Sequence, residues 1–321
     1  MIWVTWRQHR IEGLAAVVIL ALIIPCILVT GFTIASAYQD TGMAACIAQH
    51  ALCPGIRNAF VERFLGMIIT FLLGVNALPV LVGMFVGAPL LARELEQGTH
   101  RLAWTQSITR LRWLTVKLSV LLGATLLAFI LLAMLMTWWS GPWNAVRGPW
   151  ETYNLQGMVL VASAIFALML GIAVGLLIRR SVPAMAITLV ICVLLQLAVA
   201  GLVRPHLLPP LSQTWRYNQP APPDAALGNL PVGSPILLDR QGYQLSNDDL
   251  GQICQPPLDR FNSEALQTFA QCEADHGVHY LEFYQPANRF WVFQGMETGL
   301  FLLLAGLLLI LTTWGSRKRI T

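Results

Sequence analysis

The chain has 321 residues, of which 56% are hydrophobic and only 11% charged, with a formal net charge of +4 and a mean hydropathy of +0.63. Soluble domains carry roughly 25% charged residues, so this composition excludes an ordinary water-soluble protein and makes lipid the bulk solvent. Six stretches are long enough, at about 20 residues each, to cross ~30 Å of hydrocarbon as helices.

The chain opens on residues 1–12, where Trp3 and Trp6 stand beside Arg7, His9 and Arg10. That pattern suits an amphipathic helix lying in the headgroup layer. The first span is expected from Gly13 to Ala37; at that length it exceeds the core of a cleavable secretory signal and reads as an uncleaved anchor. The second runs from Phe64 to Ala92, the third from Leu118 to Trp139, the fourth from Leu155 to Ile178 and the fifth from Val182 to Val203. Residues 13–203 therefore hold five spans, with a loop at 93–117 between the second and third. Trp138, Trp139, Trp143 and Trp150 gather near the end of the third span, where an aromatic belt is expected. The proline-rich first half of residues 204–289 favours irregular chain, and a helix capped by Asn262 or Ser263 and stopped near Gly277 is expected in the second half. The last segment, 290–321, contains a sixth span from Phe290 to Trp314 and a basic tail. The expected fold is an all-α polytopic membrane protein with a small extracellular domain between spans five and six.

Orientation follows from the positive charges. With both termini cytoplasmic, the inner segments hold twelve of the twenty Lys and Arg residues, and twelve of the sixteen acidic residues fall outside. The basic balance then reflects topology against an anionic inner leaflet and makes no case for nucleic acid. Cys46 and Cys53 share the first outer loop, and Cys254 and Cys272 share the last. Four outer cysteines allow three pairings, of which the two within-loop bonds are the simplest. Asp275, His276, His279 and Glu282 have a metal-like composition, but Gly277 interrupts their helix and no cysteine motif accompanies them, so no metal is expected.

Gly83 and Gly87, Gly171 and Gly175, and Gly295 and Gly299 each lie four apart in a span. Small residues at this spacing let helices approach closely in lipid, and packing within one bundle is the simpler reading.

The loop between spans two and three is dense in signals. Its helix is expected to pass Pro89 into "ARELEQ", stop at Gly98 and restart from Thr99 as a short helix, "HRLAWTQ", before Ser107 or Thr109 caps the third span. The stretch "ARELEQGTHRLAWTQSITRLRWLTVKL" resembles the cytoplasmic loop of ABC-2 type permeases, the membrane subunits of type V ATP-binding cassette exporters. The first ten residues and "YQPANRFWVFQGMETGLF" are similar to an actinobacterial subgroup of that family. The resemblance implies that the short helix lies across the membrane and docks on an ATPase. Arg93, Glu94, Glu96, Gly98, Thr99 and Arg101 would then be coupling residues. No G-x-x-x-x-G-K-[ST] loop occurs, and the only lysines are Lys117 and Lys318, so the resemblance places ATP and Mg in a separate ATPase subunit, with no cofactor in this chain. It also implies a second permease subunit, identical or related, and a plasma-membrane location.

Glu297 is the only ionisable residue deep in a span, where an acid must face protein or water. With Gln294 one turn earlier it forms part of an outer pathway or gate; the alternative is an acid held near the interface by Arg289 or a polar neighbour. Asn76 in the second span and Gln196 in the fifth are further intramembrane amides. In similar permeases the path lies between spans two and five, so Asn76, Gln196, Gln294 and Glu297 are the candidate substrate-pathway residues. The expected function is the permease subunit of an exporter, not an enzyme. A peptide sensor or immunity subunit that does not transport is the alternative, and a membrane-embedded enzyme is disfavoured by spans with no histidine and no lysine.

Overall fold

Six helices in the computed structural model are long and apolar enough to cross a membrane, over Ala21–Asp40, Gly55–Arg93, Thr115–Arg147, Gly157–Ile178, Ser181–His206 and Ala287–Gly315. The structure describes residues 2–49, 53–96, 110–216, 228–256 and 263–319, and these are predominantly helical. The chain divides into two units. One comprises Met1–Ala145, Glu151–Arg204 and Trp291–Thr321; the other comprises Val146–Trp150 and Pro205–Phe290.

In the first unit, α1 (Ile2–Asp40) is one continuous helix with no break near residue 12. A short helix, α2 (Met43–Ala48), follows, and the Cys46–Cys53 disulfide closes the turn into α3 (Pro54–Val82). The second span then widens into a π-helical turn, Gly83–Gly87, before continuing as α4 (Ala88–Glu96). Pro89 supplies the reason. It has no N–H to give the carbonyl four residues back and its ring crowds that carbonyl, so the wider turn is placed immediately before it. The third span is α5 (Arg110–Arg147), the fourth α6 (Gly157–Ile178) and the fifth α7 (Ser181–Ala198). The fifth repeats the device: a π turn at Val199–Val203 precedes Pro205.

The fourth span is the centre of this unit, with 78% of its apolar window buried against 17–28% for the other five. Glycine makes that possible. A Cβ on Gly171 would collide with the Gly83 carbonyl, and one on Gly87 would stand 2.6 Å from the Leu168 carbonyl. The second and fourth spans therefore interlock backbone to backbone through two of the glycine pairs. Gly295 and Gly299, the third pair, meet nothing within 4 Å.

The tryptophan cluster is a correction to the aromatic-belt reading. Trp139 and Trp143 are fully buried and Trp150 nearly so, and only Trp138 is exposed. Trp139 donates from Nε1 to the Thr30 hydroxyl at 3.0 Å and Trp143 to Glu151 at 3.0 Å. The Trp139 and Trp143 rings are core, joining the first, second and third spans, because both N–H groups find protein acceptors and need no interfacial water.

In the second unit the expected helix is present, and the stretch read as irregular chain contributes strands that the sequence reading of residues 204–289 did not include. This unit carries a five-stranded antiparallel sheet formed by β1 (Leu211–Trp215), β2 (Leu230–Pro231), β3 (Ile236–Leu238), β4 (Gln244–Leu245) and β5 (His279–Gln285). The order is β1-β5-β3-β4, with β2 also on β5. Register pairs Leu211 with Tyr284, Trp215 with Tyr280 and Ile236 with Leu281. The proline spacing leaves strands of only two to seven residues, too short for an alternating pattern to stand out in the sequence. Two helices join the sheet, α8 (Asn247–Ile253) and α9 (Ser263–Asp275). Ser246 and Asp249 form a reciprocal capping box at the start of α8, and Gly277, at φ +71°, turns the chain from α9 into β5. Leu250, Cys254 and Val278 form a small core with Leu237, Leu245, Phe269 and Cys272 around it. The Cys254–Cys272 disulfide, 2.02 Å between sulfurs, joins α8 to α9. The short piece Val146–Trp150 belongs to this unit because Gly148 and Gly228, both at positive φ, meet backbone to backbone. The last helix, α10 (Phe290–Arg319), returns to the first unit.

Candidate functional site: a polar cavity among the spans

Where the fifth span ends, the π turn at Val199–Val203 inserts an extra residue into the helix and so rotates everything beyond it by about 100°. The first residue past that turn is Arg204. Its guanidinium reaches the sixth span, donating from Nε to Glu297 Oε2 at 3.0 Å and from Nη2 to Glu297 Oε1 at 2.9 Å. Nη2 also donates to Asn154 Oδ1 at 2.6 Å, and the guanidinium carbon lies 3.9 Å from the centre of the Tyr153 ring. Glu297 is 2% exposed and Arg204 11%. Burial, then the Glu297 charge, pushes the Tyr153 phenol up, so the ring stays neutral beside the cation.

The pair forms one wall of a narrow polar cavity of about 20 Å³, room for about one water molecule. Asn76 of the second span, Ser163 of the fourth and Gln196 of the fifth line it together with Asn154, Arg204 and Glu297, and Val159 and Phe301 supply its apolar side. Three of the four sequence-derived pathway residues, Asn76, Gln196 and Glu297, thus meet in one place. Among the described residues, the side-chain amides of Asn76 and Gln196 have no hydrogen-bond partner, although both are half-buried.

Gln294 is used differently. Fully buried, it accepts from the Val159 N–H at 3.0 Å and donates to the Tyr153 carbonyl at 2.9 Å, capping the start of the fourth span. Arg289, the partner considered for Glu297, instead donates to the Pro209 carbonyl and to Gln285 Oε1. The true partner, Arg204, escaped sequence reasoning because a span boundary drawn at Val203 places it outside. The available signal was an arginine followed by proline directly after an unbroken apolar run.

Of the coupling candidates, Gly98, Thr99 and Arg101 lie outside the described residues, as does the Glu94 side chain; Arg93 is exposed near the end of α4. Glu96, the last residue of α4, accepts from both the Ser181 N–H at 3.1 Å and the Ser181 hydroxyl at 2.9 Å. Those two bonds hold its carboxyl below the ordinary range. The charge sits at the N-terminus of the fifth span, where a helix favours an anion.

In the second unit, Cys254, Cys272 and His276 present ligand atoms within 4.8 Å of one another. Both sulfurs are bonded to each other, however, so neither is a thiolate that a metal could take. Asp275 accepts from Gln271, His279 from Arg216 and Glu282 from Gln213, each separately.

Comparison with curated proteins and with solved structures returns no match. The profile of the family described as ABC-2 membrane transporter related matches residues 15–204, more than half of the chain, from the first span to near the end of the fifth. With six apolar helices behind it, this protein belongs to the ABC-2 membrane transporter related family.

Proposed function

We propose that this chain is the permease subunit of an ATP-driven exporter in the plasma membrane, with both termini and the 93–117 loop in the cytoplasm. The family match carries the reading, and the concentration of Lys and Arg in the segments assigned to the inner side supports the orientation. The loop docks on a separate ATPase subunit that binds ATP and Mg²⁺. A second permease subunit completes the pathway, and closure of the ATPases shifts the bundle between inward-open and outward-open states. A ligand with different affinities for those states is then moved. Glu96 suits such a role, since its bonds to Ser181 tie the start of the loop to the fifth span. That span carries Gln196 and Arg204 into the cavity.

The test is co-purification of the tagged full chain from its native membrane. An ATPase subunit is expected in the complex, and Glu94→Lys with Glu96→Lys is expected to remove it. A chain that purifies without an ATPase, or a complex indifferent to the double reversal, overturns the proposal.

A further inference from the structure

At the end of the first unit that carries the Cys46–Cys53 disulfide, two rows of α3 side chains face the end of α1. Gly55, Ala59 and Arg63 follow one another at four-residue spacing, as do Ile56, Phe60 and Phe64, so each trio runs along one side of the helix. Ala37 in α1 and Thr41 just beyond its end stand opposite. The floor between them is made of small residues: a Cβ on Gly55 would meet nothing within 4 Å, and Ala59 is exposed. The result is an open groove of about 460 Å³.

Its apolar wall is fixed before any ligand arrives. Phe60 and Phe64 are both buried with their rings 5.0 Å apart, and Trp143 of the third span backs Phe60 at 6.4 Å. The Thr41 hydroxyl is committed to the Ala37 carbonyl at 2.7 Å. That leaves Arg63 as the charged group of the lining, with its guanidinium carbon 5.3 Å from the centre of the Phe64 ring. A guanidinium has five N–H donors, and among the described residues no carboxylate pairs with this one. Glu62, its neighbour in sequence, projects about 100° away around the helix. The groove therefore offers hydrocarbon contact along its length and one uncompensated cation at one end.

Those two features select a ligand. A guanidinium takes a carboxylate or phosphate through charge-assisted parallel bonds, whereas a cationic head group is repelled and an uncharged one leaves the charge unanswered. At about 30 Å³ per methylene, close to the share of one water in the liquid, the groove has room for roughly 10 to 15 carbons, which is one chain and not the two of a bilayer phospholipid. We propose that this groove binds a single-chain amphiphile with a carboxylate or phosphate head group, the head at Arg63 and the chain over Gly55 and Ala59. The site is separate from the Arg204–Glu297 cavity, and it does not depend on the exporter reading.

The full chain is purified in a steroidal detergent, which has no alkyl chain to occupy the groove, and its thermal unfolding is followed against decyl phosphate, decyltrimethylammonium and decanol. Decyl phosphate is expected to raise the midpoint at about one tenth of the concentration that either other probe requires. Arg63→Gln is expected to bring the three probes level. Ala59→Trp, which fills the floor from an exposed position, is expected to remove the response to decyl phosphate, read as the shift from that variant's own midpoint. Dioleoylphosphatidylglycerol is expected to act alike on wild type and Arg63→Gln. Equal or stronger stabilisation by the cationic or uncharged probe overturns the proposal, as does a decyl phosphate preference that survives either substitution or an Arg63-dependent gain from the two-chain lipid. Light scattering of the same samples is expected to give one molar mass for all three proteins; a mass that falls in Arg63→Gln or Ala59→Trp makes the groove a contact between subunits and overturns the proposal too. The co-purification above reports on the exporter reading separately, since an ATPase can be present or absent whatever these titrations give.

Discussion

Arg204 and Glu297, 93 residues apart in sequence, are joined by two parallel hydrogen bonds of 3.0 and 2.9 Å between the fifth and sixth spans. With Glu297 buried and Arg204 nearly so, the energetic weight lies in what remains when one is removed. Glu297→Gln leaves the Arg204 charge uncompensated, a loss on the order of 3 to 5 kcal/mol when a buried pair is broken from one side. Replacing both residues by methionine removes the desolvation cost together with the attraction and is expected to come close to wild-type stability. Thermal unfolding of the purified chain distinguishes these outcomes. If Glu297→Gln unfolds at the wild-type temperature, the pair is not the tie between these spans.

The glycine interlock gives a second, sharper contrast. Gly171→Ala would drive a methyl group into the Gly83 carbonyl and within 2.8 Å of the Ala88 nitrogen. The second and fourth spans would have to separate, and because the fourth is the buried centre of the unit, a large loss of folded protein is expected. Gly299→Ala meets nothing within 4 Å. It should be neutral or stabilising by about 0.5 to 1 kcal/mol, the helix-propensity difference between the two residues. Folded yield by size-exclusion chromatography measures both; equal yields would refute the interlock.

Continuous apolarity and length located all six spans in the sequence, because a helix that crosses hydrocarbon needs about 20 predominantly apolar residues. Asn76, Gln196 and Glu297 stood out as polar residues in that background, and the structure gathers them in one cavity. Arg204 did not stand out, since its position depends on a π turn that no hydropathy window detects. The sheet of the second unit was hidden for another reason. Its strands are short and its central partner, β5, pairs with segments up to about 70 residues earlier, a long-range relation that local pattern cannot carry. Trp139 and Trp143 misled in the opposite direction, because a ring at the end of a span looks the same in sequence whether it faces headgroups or a neighbouring helix.

In the second unit, Glu273 is 1% exposed and accepts a short bond from the Tyr280 hydroxyl. Among the described residues, its other carboxyl oxygen has no hydrogen-bond partner. Burial pushes its titration up, opposed by the tyrosine bond. A carboxyl whose folded value is raised above its unfolded value stabilises the fold most below the unfolded value, and that contribution is lost as pH rises through the folded one. Stability of this unit should therefore decline as pH rises from the ordinary carboxylate range and level off above the raised value. Glu273→Gln keeps an acceptor for Tyr280 and cannot ionise, so it is expected to flatten this dependence and stabilise the unit at neutral pH. Hydrogen exchange of β5 amides across the pH range is the measurement. An unchanged profile in the glutamine variant would show that another group sets it.

Glu96 presents the opposite sign. Its carboxylate is stabilised by the Ser181 N–H and hydroxyl, which lower its titration. A depressed carboxyl contributes above its unfolded value, and the contribution disappears as pH falls through the folded value. The tie between α4 and the fifth span should thus be complete at neutral pH and released only in acid. Ser181→Ala removes the hydroxyl and keeps the backbone donor, so the Glu96 titration should move up toward its ordinary value without reaching it. Ser181→Pro removes both donors, and proline is tolerated at the first position of a helix. The fifth span should therefore persist in that variant while Glu96 returns to ordinary behaviour. Carbon-detected NMR of the Glu96 carboxyl in the three proteins orders these values directly. A Glu96 that titrates alike in all three would mean that its charge is held by something other than the start of the fifth span.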